Sequence, residues 1–181
     1  AALVPPCHTL VDVGTDHAYL PVLLLQQGKI EQAIAGDVVP GPCEAARHTV
    51  RTFHLEDRIT VRQGSGLTVA APGEAEAAVI AGMGAETMLQ ILGESPEVWQ
   101  HPRFRHLILQ PMSDAARLRH WAEKNGWAVV REELAREGKR LYELLHLEPS
   151  PGWRYPSACY EIGFDLVERH HPLLQEFLAE R

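Results

Sequence analysis

Residues 12–18 read DVGTDHA and lie between an apolar, β-like run and a helical stretch. A dinucleotide fingerprint needs glycine where Asp16 and Ala18 stand, because glycine lets backbone approach a pyrophosphate at a helix N-terminus. A carboxylate at Asp16 repels that pyrophosphate. The loop therefore argues against a nicotinamide-dependent oxidoreductase and suits a phosphate-free, cationic cofactor. The simpler reading of Asp16 alone is a turn residue that caps the following helix.

Three more loops repeat the theme. Residues 35–42 read AGDVVPGP. Asp37 falls roughly 20 residues after the first loop, where an acid accepts hydrogen bonds from ribose hydroxyls; alone, it reads equally well as a helix cap. Residues 64–67 read GSGL, a turn that in adenosine-binding sheets borders the base, with Ser65 in hydrogen-bonding reach. The bland reading there is a plain glycine-rich turn. Residues 80–85 read IAGMGA. Gly82 and Gly84 allow close approach of a ligand to backbone, and exposed carbonyls and the Met83 thioether are placed to line a transfer site. Otherwise they only open a strand-to-helix turn. No D/N-P-P-Y segment stands there, which argues against chemistry on an exocyclic amine. S-adenosylmethionine, a sulfonium on an adenosine, is one phosphate-free, cationic cofactor of the kind the first loop suits.

The elements that must position these loops alternate along the chain. Strands are expected at 9–13, 32–37, 59–62, 77–81 and 106–110. Helices are expected at 19–28, 41–54, 85–92 and 113–125, the last capped by Ser113 or Asp114 and ended by Asn125-Gly126. Residues 127–134 and 140–147 form a hairpin about residues 136–139. Residues 149–156 are a proline-rich loop, and a helical segment broken by Pro172 runs from about 161 to 181. This order predicts an α/β fold with a mostly parallel seven-stranded sheet, Rossmann-like, and an antiparallel C-terminal hairpin. Ligands on such sheets bind at the carboxyl ends of the strands.

Composition bounds the alternatives. The chain has 181 residues, 45% of them hydrophobic and 23% charged, which is the mix of a globular domain. A net charge of -7 excludes a nucleic-acid binder held by bulk positive charge. Local basic groups remain: Arg103, Arg105, Arg117 and Arg119 form one cluster, and Arg47, Arg51, Arg58 and Arg62 a second, more mixed one. Either group could contact phosphates, and each arginine taken singly reads as a solvated face or a local ion pair. Cys7, Cys43 and Cys159 are odd in number and widely spaced, so neither a disulfide framework nor a zinc ribbon is expected. The ten histidines lack ligand spacing along the chain, and no metal is expected. No apolar run or signal-like N-terminus predicts a membrane span or secretion, so a cytoplasmic location is the default.

Taken together, DVGTDHAYLP (12–21), AGDVVPGP (35–42), IAGMGA (80–85), LILQP (107–111) and the NGW to KRLYELL segment (125–145) stand in a recognisable order. The chain resembles the bacterial tRNA (adenine(22)-N1)-methyltransferase family across nearly its whole length. The resemblance implies a class I methyltransferase domain, S-adenosylmethionine as cofactor and N1 of a tRNA adenine as acceptor. Carried over by position, Asp12, Gly14, Asp16, His17, Ala18 and Tyr19 line the methionine side. Asp37 and Val38 hold the ribose, and Ser65, Gly66 and Leu67 border the adenine. Ala81, Gly82, Met83 and Gly84 form the floor between cofactor and target base. The family's usual Asp or Asn is Ser65 here, its GMGG is GMGA, its QPN is QPM at residues 110–112, and its F-G-P turn appears as residues 163–165, GFD. The resemblance also implies a helix before the first strand and a C-terminal helical domain that grips tRNA. Residues 1–150 are read as the cofactor domain and 151–181 as the truncated start of the helical one.

The chemistry expected is direct. Adenine N1 carries a lone pair and is neutral at pH 7, so no general base is required. Asp16 and the backbone of residues 81–84 are the expected stabilisers of charge developing on the base. Arg103, Arg105, Arg117 and Arg119 are the expected tRNA contacts.

Overall fold

The computed structural model describes residues 1–180. Seven strands form one sheet in the order β3-β2-β1-β4-β5-β7-β6. They are β1 (Cys7–Val13), β2 (Ile30–Asp37), β3 (Ile59–Gln63), β4 (Ala77–Met83), β5 (His106–Pro111), β6 (Trp127–Glu137) and β7 (Arg140–Pro149). The first five pair in parallel; β7 runs antiparallel between β5 and β6. The expected fold class is the one observed.

Parallel strands covered on both faces explain the unbroken apolar runs of the sequence. Alternate residues feed two cores. Val11, Val13, Ile34, Ala78, Ile80, Leu107 and Leu109 face α3 (Ala85–Glu94) and α5 (Ala115–Lys124). Leu10, Ala33, Ala35, Ala77, Val79 and Ile108 face α1 (Tyr19–Gln26) and α2 (Pro40–Thr52). Trp99, Trp127 and Phe104 meet edge-to-face in the first core, where such contacts add to area burial.

The differences from the expected elements have local causes. Trp99 belongs to a four-residue α4 (Pro96–Trp99) that is too short to leave a periodic pattern, though Pro96 stands at its start. The hairpin strands run on to a two-residue turn, because Glu137 pairs with Arg140 and Gly138 takes φ +59°. Neither Ser113 nor Asp114 caps α5 through its side chain. The helical segment expected over 161–181 is two short helices, α6 (Phe164–Glu168) and α7 (Leu174–Ala179), parted at Pro172; Arg181 lies outside the described residues.

This C-terminal segment packs on the hairpin. Arg119, fully buried on α5, donates to Glu132 on β6 at 2.7 Å, to Glu143 on β7 at 2.6 Å and to the Tyr160 carbonyl at 2.7 Å. Tyr155 donates its hydroxyl to Glu132 at 3.1 Å and accepts the Phe164 N–H at 2.6 Å. Glu132 and Asp165 exchange backbone-to-carboxylate bonds at 2.8 and 2.9 Å. Buried charge is thus matched by fixed donors and acceptors on α5, β6, β7 and the C-terminal segment, the condition under which a buried ion pair is tolerated.

Candidate cofactor and transfer site

A cavity of about 220 Å³ opens at the carboxyl ends of β1 to β4. Gly14, Asp37, Val38, Ser65, Gly66 and Met83 line it, six of the residues singled out by sequence. Its far wall is one face of α3: Thr87, Gln90, Ile91 and Glu94. Three of these, Thr87, Gln90 and Glu94, are a polar i, i+3, i+7 stripe on the helix after the fourth loop, the signal by which they could have been found.

The first loop is bent by three left-handed residues, Gly14 (φ +72°), Asp16 (φ +52°) and Ala18 (φ +56°). Asp16 and Ala18 hold a backbone that glycine adopts freely and that costs other residues about 1 kcal/mol each. The Gly14 and Thr15 N–H groups both donate to the Gly36 carbonyl, at 2.9 and 3.0 Å, which fastens the loop to the end of β2. A Cβ on Gly14 would lie 2.5 Å from Met83 Cε. Met83 therefore reaches back across the end of β1, so its side chain is part of the cavity wall.

Asp12 lies beneath this loop, buried, and accepts the Thr15 hydroxyl at 2.6 Å. Burial pushes its carboxyl up to about 6, and the nearby Asp37 charge adds to that, while the Thr15 hydroxyl opposes it. Asp16 does not cap α1: Ala18 occupies the cap position without a side-chain bond. Asp16 instead points into solvent beside His17, at 2.8 Å, and the His17 ring stacks on Tyr19. The expected cofactor contact at Ala18 is corrected: the whole residue is buried and offers a ligand no exposed atom, so it supports the loop from below. The same holds for Leu67, whose side chain is in the core below the cavity.

Asp37 ends β2 and accepts the Val39 N–H at 2.9 Å, which holds the carboxyl at the cavity lip. Ser65 is exposed and donates to Glu94 at 3.3 Å. At the end of β4 the register slips between Ala81 and Met83, a bulge centred on Gly82 (φ +73°). Such bulges re-aim backbone beside active sites. Gln110, from β5, accepts the Gly82 N–H at 2.9 Å and donates to the Pro111 carbonyl at 3.1 Å. Ala81 and Gly82 are exposed, and nothing lies within 4 Å of a Cβ built on Gly82. The Met83 carbonyl already accepts the Met112 N–H at 2.8 Å, and the Gly84 carbonyl accepts the Met88 N–H at 3.2 Å. Gln110 stands in the LILQP segment, and a polar residue at the end of an apolar strand is the signal that marks it.

The four arginines expected to contact RNA do not stand together. Arg119 is corrected: it is fully buried and held by Glu132 and Glu143, so no phosphate can reach it. Arg103 and Arg105 precede β5, at the amino end of the sheet, while Arg117 is at the carboxyl end, exposed and paired with Glu86 at the start of α3. The hairpin tip adds Arg136, Lys139 and Arg140, all exposed, and Arg140 donates to the Met112 carbonyl at 3.4 Å. Their sequence spacing looked like an ordinary turn; the antiparallel return of β7 along β5 brings them to the carboxyl end. In the second basic group Arg62 binds Glu74 through two bonds of 2.8 and 2.5 Å, and Arg47 pairs with Glu44.

No helix among the described residues is long and apolar enough to cross a membrane. A family model described as a methyltransferase domain matches residues 1–145. The tRNA (adenine(22)-N(1))-methyltransferase of Bacillus subtilis (strain 168) is 37% identical over 148 residues, 82% of this chain and 61% of that protein. The chain spans about three fifths of the length of the curated relatives it matches. Among solved structures, the Streptococcus pneumoniae protein Sp1610 in complex with S-adenosyl-L-methionine is 32% identical, with a TM-score of 0.91 over 99% of this chain and 83% of that one. The B. subtilis m1A22 tRNA methyltransferase TrmK is 31% identical, with a TM-score of 0.87 over 98% of this chain and 77% of that one.

Proposed function

This chain belongs to the methyltransferase domain family, and from that premise we propose that it transfers a methyl group from S-adenosylmethionine to N1 of a tRNA adenine in the cytoplasm, at position 22 by its likeness to the B. subtilis enzyme. The observation that carries the reading is the cavity itself: an acid at the end of β2, an α3 wall rather than a phosphate nest, and a glycine bulge open beside it. These residues fit a cationic adenosine cofactor and reject a pyrophosphate. The cofactor supplies an activated methyl on sulfonium.

What the chain's residues do follows from their places. Asp37 accepts the ribose hydroxyls. Ser65, Gly66 and Ile91 flank the base of the cofactor. Asp12, through Thr15, stiffens the turn and sets a negative field under the methionine portion. Gly82, with no side chain, leaves room for the target adenine edge. Gln110 fixes the bulge so that the backbone of Ala81 and Gly82 stays at one distance from that edge. The backbone of Ala81 and Gly82, exposed at the bulge, and the exposed carboxylate of Asp16 are the groups that stabilise positive charge growing on the base. N1 lies on the pairing edge, so the adenine must first leave its partner, at a few kcal/mol.

Mass spectrometry of tRNA after incubation with the cofactor and the protein tests the proposal. The expected result is one added methyl at N1 of adenine 22, absent from a transcript with guanine there. Methylation at another nucleotide would move the reading to a different RNA methyltransferase. Cofactor binding by calorimetry without transfer to any RNA would reduce it to a binding module.

A further inference from the structure

Three side chains unused by methyl transfer meet on the sheet face that carries α1 and α2. His106 Nδ1 is 3.2 Å from His146 Nε2. Glu148 Oε1 is 3.3 Å from the first and 3.6 Å from the second. Zinc bonds of about 2.0–2.2 Å in a tetrahedral shell put neighbouring donor atoms about 3.3 Å apart. The three separations therefore outline one face of such a tetrahedron.

The spacing is held by the sheet. His106 is on β5, His146 and Glu148 are on β7, and the two strands are paired with Ile108 opposite His146. Ligands on rigid strands keep their geometry better than ligands on loops. Two imidazoles and one carboxylate are a donor set that favours zinc over magnesium or calcium. His146 also borders a groove of about 690 Å³ between residues 1–6 and the β6–β7 hairpin, which gives a water or a ligand atom access to a fourth vertex.

We propose that His106, His146 and Glu148 bind one Zn²⁺ ion, which joins the parallel part of the sheet to the antiparallel hairpin. The site lies about 13 Å along β5 from Gln110, at four residues of strand rise, so it is separate from the transfer site. Its role is structural: one ion ties β5 to β7 at the junction where the strand direction reverses. Spacing along the sequence hides the cluster, because residues 106 and 146 become neighbours only through strand pairing.

The test uses the purified chain, stripped with a chelator, and reads no methyl transfer. Co²⁺ serves as the spectroscopic probe and Zn²⁺ alone as the competitor. One equivalent of Co²⁺ is expected to give the visible bands of a tetrahedral site, displaced by Zn²⁺, and Zn²⁺ is expected to raise the thermal midpoint. Glu148→Gln and His106→Gln should each weaken Zn²⁺ binding by at least about tenfold. His48→Asn, on the exposed face of α2, should leave it unchanged. Circular dichroism confirms that each variant is folded, and Glu148→Gln, at a half-exposed position, keeps the side-chain shape. Absence of saturable Zn²⁺ binding by the folded chain, or equal binding by the wild type and both cluster variants, would overturn the site and leave an ion-free hydrogen-bond cluster.

Discussion

Asp12 shows how burying a single carboxyl bears on stability. Its carboxyl ordinarily titrates near 3.8 and is pushed up to about 6 by burial. Between those values the folded chain holds the proton more tightly than the unfolded chain does. Stability without cofactor therefore falls as pH rises from about 4 to about 6, by an order of ~3 kcal/mol, and is level above that. Asp12→Asn should raise the thermal midpoint at pH 7.5, with the gap closing near pH 4, and should weaken cofactor binding by calorimetry. Equal midpoints at both pH values would show that the buried charge carries no such cost. Asp37 makes the complementary case at the cavity lip. Asp37→Ala removes charged acceptors and should weaken cofactor binding at least about tenfold, at 1.5–3 kcal/mol for such bonds, with the fold retained.

At the scale of elements, the bulge in β4 and its brace from β5 decide how the proposed transfer site is presented. Gln110→Ala releases the Gly82 N–H and frees the bulge to move. Turnover is expected to fall about tenfold while cofactor affinity changes little, because a small displacement of the reacting partners costs rate before it costs binding. A parallel loss of both would assign Gln110 to the cofactor cavity instead. The hairpin makes a second element-scale case. Lys139→Glu with Arg140→Glu, at the carboxyl end, should weaken tRNA binding and lower its salt dependence more than Arg103→Glu with Arg105→Glu at the amino end. Filter binding across a salt series separates the two. The four main loops were legible in the sequence because each is a short contiguous segment whose residue types carry its chemistry. Gln110 was not, because its role lies in a bond to a residue 28 positions away on a neighbouring strand.

At the scale of the molecule, the charge network around Arg119 binds α5, β6, β7 and the C-terminal segment into one body. Arg119→Met leaves Glu132 and Glu143 without their buried partner and should destabilise the chain by about 3–5 kcal/mol in chemical denaturation. A variant of normal stability that had lost tRNA affinity would restore the phosphate-contact reading of this residue. The burial of Arg119 is hidden in the sequence, because linear clustering with other arginines looks the same for a solvent-facing and an inward-facing position. Ala115, Leu118 and Ala122, all buried, mark the inward face of α5 on which Arg119 stands.

The sequence by itself determined the order of strands and helices, the parallel sheet and the loops that meet at the cavity. Those features depend on alternation, turn residues and contacts within a few positions, all written along the chain. Only the tertiary structure decided which arginine is buried, where the hairpin delivers its basic tip, how Gln110 braces Gly82, and that His106, His146 and Glu148 share one point. Each of those depends on strand register, which joins residues tens of positions apart and is set by the packing of both sheet faces together.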